Sequence, residues 1–243
     1  MRVFLKRTLP APLWELLGRV YFGALKIRYG LFGRPRSAGE TTKARPRRLS
    51  EGFFEKYCRG RGLDIGYGGD LLAENCRGFD FEDGDAQYLE GLPDEEFDFV
   101  YSSHTLEHLP DPVTALKNWW RVLKPGGYLI IYLPHRDLYE KKKTLPSRWN
   151  TDHKHFFLPD RDDPPDTIGV EPLLKRALSG FEVVYVKTCR EGHTITDPEV
   201  HSDGEYSIEA VVRKTGEIRQ DTLRDQVCSP IVRVQTGQSH VSG

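Results

Sequence analysis

The 243 residues suit one α/β-sized domain with additions, and 38% apolar against 29% charged residues is the composition of a chain with a packed core. The net charge of −1 is unevenly spread: residues 1–48 hold twelve Lys/Arg against Glu15 and Glu40, so a basic arm of +10 precedes an acidic body of −11. The acidic body argues against an extended nucleic-acid face, although the basic arm leaves that partner open. Four scattered cysteines (Cys58, Cys76, Cys189, Cys228) form no Cys-x-x-Cys pair. That argues against a zinc ribbon or disulfide framework and for a reducing, cytoplasmic setting. No apolar run with a cleavage site opens the chain, and Glu15, Arg19, Lys26 and Arg28 interrupt the best candidate for a membrane span.

In chain order, residues 12–29 predict a helix, because Leu13, Leu16, Leu17, Val20, Tyr21, Ala24 and Leu25 recur on one face. Two readings stay open for it. It lies in a membrane interface, its bases drawn to anionic lipid, or it packs on the body and covers part of the sheet. Residues 33–48 are polar, basic and Pro/Gly-containing and read as a linker. From Leu49 to about residue 216 strands and helices alternate, the pattern of a mostly parallel sheet covered by helices. Strands are expected at Gly62–Ile65, Gly78–Phe81, Glu96–Ser103 and Tyr128–Leu133. A helix capped by Asp111 with Pro112 at its first position precedes the last of these, and Pro125-Gly126-Gly127 is expected to end it. Residues 135–170 read as a long loop or lid, 171–179 as a helix stopped by Gly180, and Phe181–Thr188 with Tyr206–Lys214 as a closing antiparallel pair. Residues 217–243 are polar and aperiodic and read as a disordered tail.

The segment from Gly62 to Asp70, GLDIGYGGD, is a strand running into a glycine turn, where a backbone can approach a ligand closely. Asp80 ends the next strand, placed to accept hydrogen bonds from ribose hydroxyls, and Asp85-Ala86 suits an adenine edge. Residues 97–108, FDFVYSSHTLEH, and 121–129, RVLKPGGYL, follow in order. Together these motifs resemble the class I S-adenosylmethionine-dependent methyltransferases. The resemblance implies a Rossmann-like α/β sandwich, mostly parallel with a terminal antiparallel strand, and S-adenosylmethionine as cofactor. It places Asp64, Gly66, Tyr67 and Gly68 at the methionine end, Asp80 at the ribose and Phe81, Asp85 and Ala86 around the adenine, with Ser102 at the end of the fourth strand facing the transferred methyl. Two departures stand out. Asp70 replaces the third glycine, and only 14 residues separate Gly66 from Asp80, so the strand 2–3 region should be shortened.

Methyl transfer to a hydroxyl needs a base in line with the methyl. His104, directly after a strand, is the candidate. An alternative uses His104, Glu107 and His108, whose spacing lets them converge, as ligands of a divalent metal ion. This arrangement resembles the metal site of small-RNA 3′-terminal methyltransferases and ubiquinone-pathway O-methyltransferases, which implies His153 as a fourth ligand. His104 stands where those families carry glutamate. The leading expectation is O-methylation of a small-molecule or glycan acceptor, with membrane contact through residues 1–48. The alternatives are a noncatalytic scaffold on the same fold and a metal-dependent RNA-end methyltransferase.

Overall fold

The computed structural model describes residues 11–32 and 35–216. The tail expected at 217–243 lies outside the described residues. Helix α1 (Ala11–Phe32) is followed by α2 (Glu40–Ser50) and the short α3 (Phe53–Tyr57). Strands β1 (Gly62–Ile65), β2 (Cys76–Phe79) and β3 (Phe97–Ser103) follow with no helix of their own between them; a 3₁₀ turn at Leu106–His108 leads to α4 (Pro112–Arg121). Then come β4 (Leu123–Pro134), α5 (Arg136–Tyr139), β5 (Phe156–Leu158), β6 (Thr167–Gly169), α6 (Val170–Ala177), β7 (Phe181–Cys189) and β8 (Ser207–Lys214).

The main sheet has six strands in the order β2-β1-β3-β4-β8-β7. The first four are parallel, while β8 runs antiparallel to both β4 and β7. Both faces of the sheet are covered, so the central strands are apolar on both sides. On β4, Leu129, Ile131 and Leu133 join a cluster with Leu116 and Trp119 of α4 and Leu173 and Leu174 of α6. Ile130 and Tyr132 join the opposite cluster with Ala44 of α2 and Phe53 of α3. The connections β1–β2 and β2–β3 carry turns in place of crossover helices. Their place on the second face is taken by the N-terminal helices α2 and α3.

That placement corrects the linker reading over residues 40–48. The segment carries Pro46 and little apolar content, yet Glu40–Ser50 is helical and buries Thr41, Ala44 and Arg48. Arg48 is wholly buried, donates to Glu209 Oε2 on β8 at 2.7 Å and to the Tyr101 hydroxyl on β3 at 3.0 Å, and packs against the Phe53, Tyr101 and Tyr132 rings. Arg47 grips Glu205 and Glu209 beside it. Part of the basic arm is thus neutralised by carboxylates of the acidic body.

Further boundaries differ. The second strand begins two residues earlier than its apolar content suggests and leaves Asp80 just past its end. The Pro125-Gly126-Gly127 run does not end α4. Asp111 caps that helix as expected, through the Val113 and Thr114 N–H groups, and the helix stops at Arg121. Leu123 pairs with Phe97 and Tyr128 with Phe99, so residues 124–127 form a bulge inside β4. Residues 135–170 are also more ordered than a loop, because β5 and β6 pair in parallel and Phe157 reaches the core.

Candidate functional site: a glycine-turn cavity bordered by histidines

The turn after β1 is built by backbone geometry. Gly66 and Gly68 have φ of +72° and +57°, in the left-handed region that favours glycine. A Cβ on Gly66 would stand 2.0 Å from Thr105 Oγ1. The Gly66 N–H donates to the Phe79 carbonyl at 2.8 Å, and the Gly68 N–H donates to Asp80 Oδ2 at 2.9 Å. Turn and carboxylate are therefore one unit, fixed at the carboxyl ends of β1 and β2, where open α/β sheets take ligands.

Asp70 has a structural use that sequence reading missed. Its Oδ2 accepts the Gly39 and Thr42 N–H groups at 2.8 and 2.9 Å, and its Oδ1 accepts the Thr42 hydroxyl. A carboxylate thereby caps the N-terminus of α2 from another part of the chain. Ser37 completes the strap, donating its N–H to the Gly69 carbonyl and its hydroxyl to the Gly68 carbonyl. A Cβ on Gly69 would meet the Pro35 carbonyl oxygen at 2.5 Å, so only glycine lets the strap lie this close.

A cavity of about 770 Å³ opens over this turn, within the size range of small-molecule sites (~300–1,000 Å³). Gly66, Gly68 and Asp80 form one side, and Phe81, Asp85 and Ala86 continue the wall. His104, Thr105 and His108 stand on another side, with Asp152 and Lys154 from the segment after β4. Tyr21, Leu25 and Tyr29 of α1 add to the lining. The contribution of α1, and those of Thr105, Asp152 and Lys154, carried no signal in the sequence.

Three cofactor candidates stand behind this wall. Asp64 is fully buried and accepts the Leu72 N–H at 2.8 Å. Burial raises its carboxyl to about 8, with the Leu72 N–H pulling the other way and Asp70 adding to the rise. The Tyr67 ring lies against Gly78, and the Ser102 hydroxyl donates to the Ile65 carbonyl at 3.0 Å. Phe81, by contrast, is 71% exposed, a large ring at the cavity rim.

His104 has φ +48°, a left-handed conformation that histidine tolerates better than most residues. Its Nε2 lies 2.9 Å from Ser207 Oγ on β8 and its N–H donates to the Tyr132 carbonyl. Burial, then the neighbouring His153 and Lys43, hold its imidazole well below the usual range, so the ring is neutral. Beside it the buried Glu107 carboxylate has three imidazoles around one oxygen. From Glu107 Oε1, His104 Nδ1 lies at 3.8 Å, His108 Nε2 at 3.9 Å and His153 Nε2 at 3.9 Å. Among the described residues neither Glu107 oxygen has a hydrogen-bond partner outside its own residue, and burial lifts the carboxyl to about 8. The Lys154 N–H donates to the Glu107 carbonyl at 2.8 Å, which brings the His153 segment to the 3₁₀ turn.

Ligand atoms of Glu107, His108 and His153 all lie within 4.8 Å of one another, a spacing that can hold a metal ion. His104 lies outside that mutually close set, although its Nδ1 faces the same carboxylate. Supporting contacts resemble those around metal-binding histidines: His153 Nδ1 lies 2.8 Å from Glu140 Oε1, and His108 Nδ1 3.3 Å from Asp152 Oδ2.

Residues 51–131 match the family model described as a methyltransferase domain. A probable S-adenosylmethionine-dependent methyltransferase of Mycolicibacterium smegmatis is 27% identical over 113 residues, covering 37% of this chain and 44% of that one. A ubiquinone/menaquinone biosynthesis C-methyltransferase of Cellvibrio japonicus is 36% identical over 86 residues, covering 34% of this chain and 31% of its own. The chain thus spans less than half the length of these curated relatives. A solved structure described as the conversion of a disulfide bond into a thioacetal group during echinomycin biosynthesis superposes with a TM-score of 0.51 at 15% identity, over 88% of this chain and 98% of that one, and shows the shared fold. Residues 51–131, which hold the glycine turn and Asp80, thus match a methyltransferase domain, and the fold around them is the Rossmann-like sandwich of class I S-adenosylmethionine-dependent methyltransferases.

Proposed function

We propose that the protein transfers a methyl group from S-adenosylmethionine to a hydroxyl of a small-molecule or glycan acceptor. The observation that carries this reading is the facing arrangement in one cavity of the Gly68–Asp80 unit and the neutral imidazole of His104. A sulfonium donor supplies an electrophilic methyl: the S–C bond breaks as the O–C bond forms, S-adenosylhomocysteine leaves, and the hydroxyl proton goes to a base. The lining of the cavity supports the following part for the chain's own residues. Asp80 offers carboxylate lone pairs to the ribose hydroxyls, Gly66 and Gly68 allow the backbone to approach the methionine end, and Phe81, Asp85 and Ala86 flank the adenine. Asp64 and Tyr67 shape the turn from behind, and His104 takes the acceptor proton.

Calorimetric titration with S-adenosylhomocysteine tests the cofactor half. Wild type should bind saturably, and Asp80→Ala should lose about 1.5–3 kcal/mol, roughly 10–150-fold in affinity, as charge-assisted hydrogen bonds are removed. No binding by the folded wild type would favour a noncatalytic scaffold instead. His104→Ala should keep that affinity and, in an acceptor screen, lose about 10²–10⁴-fold in turnover.

A second reading is favoured by the orphaned Glu107 carboxylate. Glu107, His108 and His153 would hold a divalent transition metal ion, since mixed imidazole and carboxylate ligands suit that class. Such an ion would act as a Lewis acid on acceptor oxygens at the cavity wall formed by His108. Titration with cobalt(II), read by its visible absorption, should saturate in wild type and fail in Glu107→Gln and His153→Ala. An unchanged titration in both variants would remove this reading and leave methyl transfer by His104 intact.

A further inference from the structure

The four bases of α2 are occupied within the body. Lys43 pairs with Glu40, Arg45 donates to the Leu72 carbonyl, and Arg47 and Arg48 are held by Glu205 and Glu209. What remains of the basic arm is residues 1–39, with eight Lys/Arg against Glu15 alone, a net of +7. Between Glu15 and Glu40 the chain has Arg19, Lys26, Arg28, Arg34 and Arg36 and no acid.

Helix α1 carries a second, independent feature. Val20, Ile27 and Leu31 are 63%, 67% and 73% exposed, and Leu17 is 46% exposed. At helical spacing these four, with the exposed Ala24, fall on a single stripe. Leu25 and Tyr29, on a different side of the same helix, line the cavity. The helix therefore has one flank toward the site and an apolar stripe toward solvent, with the exposed Arg28 bordering the stripe. None of the described helices is long and apolar enough to cross a membrane.

An exposed apolar stripe on a helix whose residues after Glu15 carry only positive charge is complementary to one kind of surface. An anionic bilayer accepts apolar side chains below its headgroups and attracts bases at their level. A protein partner would have to supply both an apolar groove and a matching acidic rim. We infer that α1 docks the protein peripherally on an anionic lipid surface through Leu17, Val20, Ile27 and Leu31, with the cavity on the landward side of the helix. This inference does not depend on the methyl-transfer reading.

The test is co-sedimentation of the full chain with phosphatidylglycerol-containing vesicles and with pure phosphatidylcholine vesicles. Binding to the anionic vesicles should weaken with added salt and exceed that to the zwitterionic ones. The double variant Ile27→Glu/Leu31→Glu should lower partitioning at least about tenfold, because two side chains that would enter the bilayer become charged carboxylates. Neither residue lines the cavity, so S-adenosylhomocysteine affinity should be unchanged, which separates this outcome from failure of the cofactor site. Absence of vesicle binding by wild type, or binding indifferent to the two substitutions, overturns the inference. So does a wild-type dimer by light scattering that the double variant dissolves while vesicle binding is absent, since the stripe would then face a second copy of the chain.

Discussion

Replacing Arg48 by methionine keeps the apolar stem but removes a cation with no exposed side-chain surface. Glu209 would lose its 2.7 Å partner, and the Tyr101 hydroxyl its donor. Breaking a buried pair by removing one member costs about 3–5 kcal/mol, because the remaining charge is stranded. Here the cost should lie near the lower limit, about 3 kcal/mol, since Arg47 still donates to both Glu209 oxygens at 3.1 and 3.2 Å and the Tyr185 hydroxyl at 2.9 Å. Unfolding in urea followed by tryptophan fluorescence would read this directly, and the melting temperature should fall by about 6–12 °C. Adding Glu209→Gln removes the stranded charge, keeps an acceptor for Arg47 and Tyr185, and should recover more than half of the loss. Burial opposes ionisation of Glu209, but Arg48 and Arg47 outweigh it and hold the carboxyl at about 2. A depressed carboxyl contributes stability above its unfolded value near 4.5 and loses it as pH falls toward 2, so the acid side of the stability profile should flatten in Arg48→Met. A loss below about 1 kcal/mol in the single variant, or a double variant no more stable than it, would refute the view that this pair locks α2 onto the sheet.

Three further outcomes follow from the turn. Asp64 has its folded carboxyl raised to about 8 from 3.8, so the folded chain binds the extra proton between those values and stability declines as pH rises through that window. Asp64→Asn should flatten that decline in denaturant titrations at several pH values, and an unchanged slope would show that Asp64 is not its source. Gly66→Ala places a Cβ 2.0 Å from Thr105 Oγ1 at a φ of +72°, and should abolish measurable S-adenosylhomocysteine binding in a protein that still folds by circular dichroism. Gly66→Ala/Thr105→Gly should relieve only the contact, leaving the strained φ. Asp70→Ala uncaps α2 and should cost about 1–2 kcal/mol, with faster amide exchange at residues 39–42 as its signature; equal exchange in both proteins would deny the cap.

Residues whose role is set by their chain neighbours were legible in the sequence. The strand-turn unit at Gly62–Gly69, the Asp111 cap and the apolar runs of β3, β4 and β8 follow from steric and period rules that act over a few residues. The short Gly66-to-Asp80 interval likewise foretold a shortened strand 2–3 region, and the described residues form a main sheet of six strands with no helix between β1, β2 and β3. The order of motifs was enough to expect the fold and the S-adenosylmethionine family. Tertiary structure decided what depended on distant partners. Helix α2 reads as linker because its stability comes from Glu205 and Glu209, more than 150 residues away, and from the Asp70 cap. Asp70 reads as a damaged glycine turn until the helix it caps is seen. Glu107, His108 and His153 meet because a backbone hydrogen bond from Lys154 joins two segments about 45 residues apart. Periodicity on α1 left two open readings, and the fold gives the helix both a flank on the cavity and an apolar stripe facing solvent. Amphipathicity fixes only that a helix has two unlike faces; which face meets which neighbour is set by the packing of the whole chain.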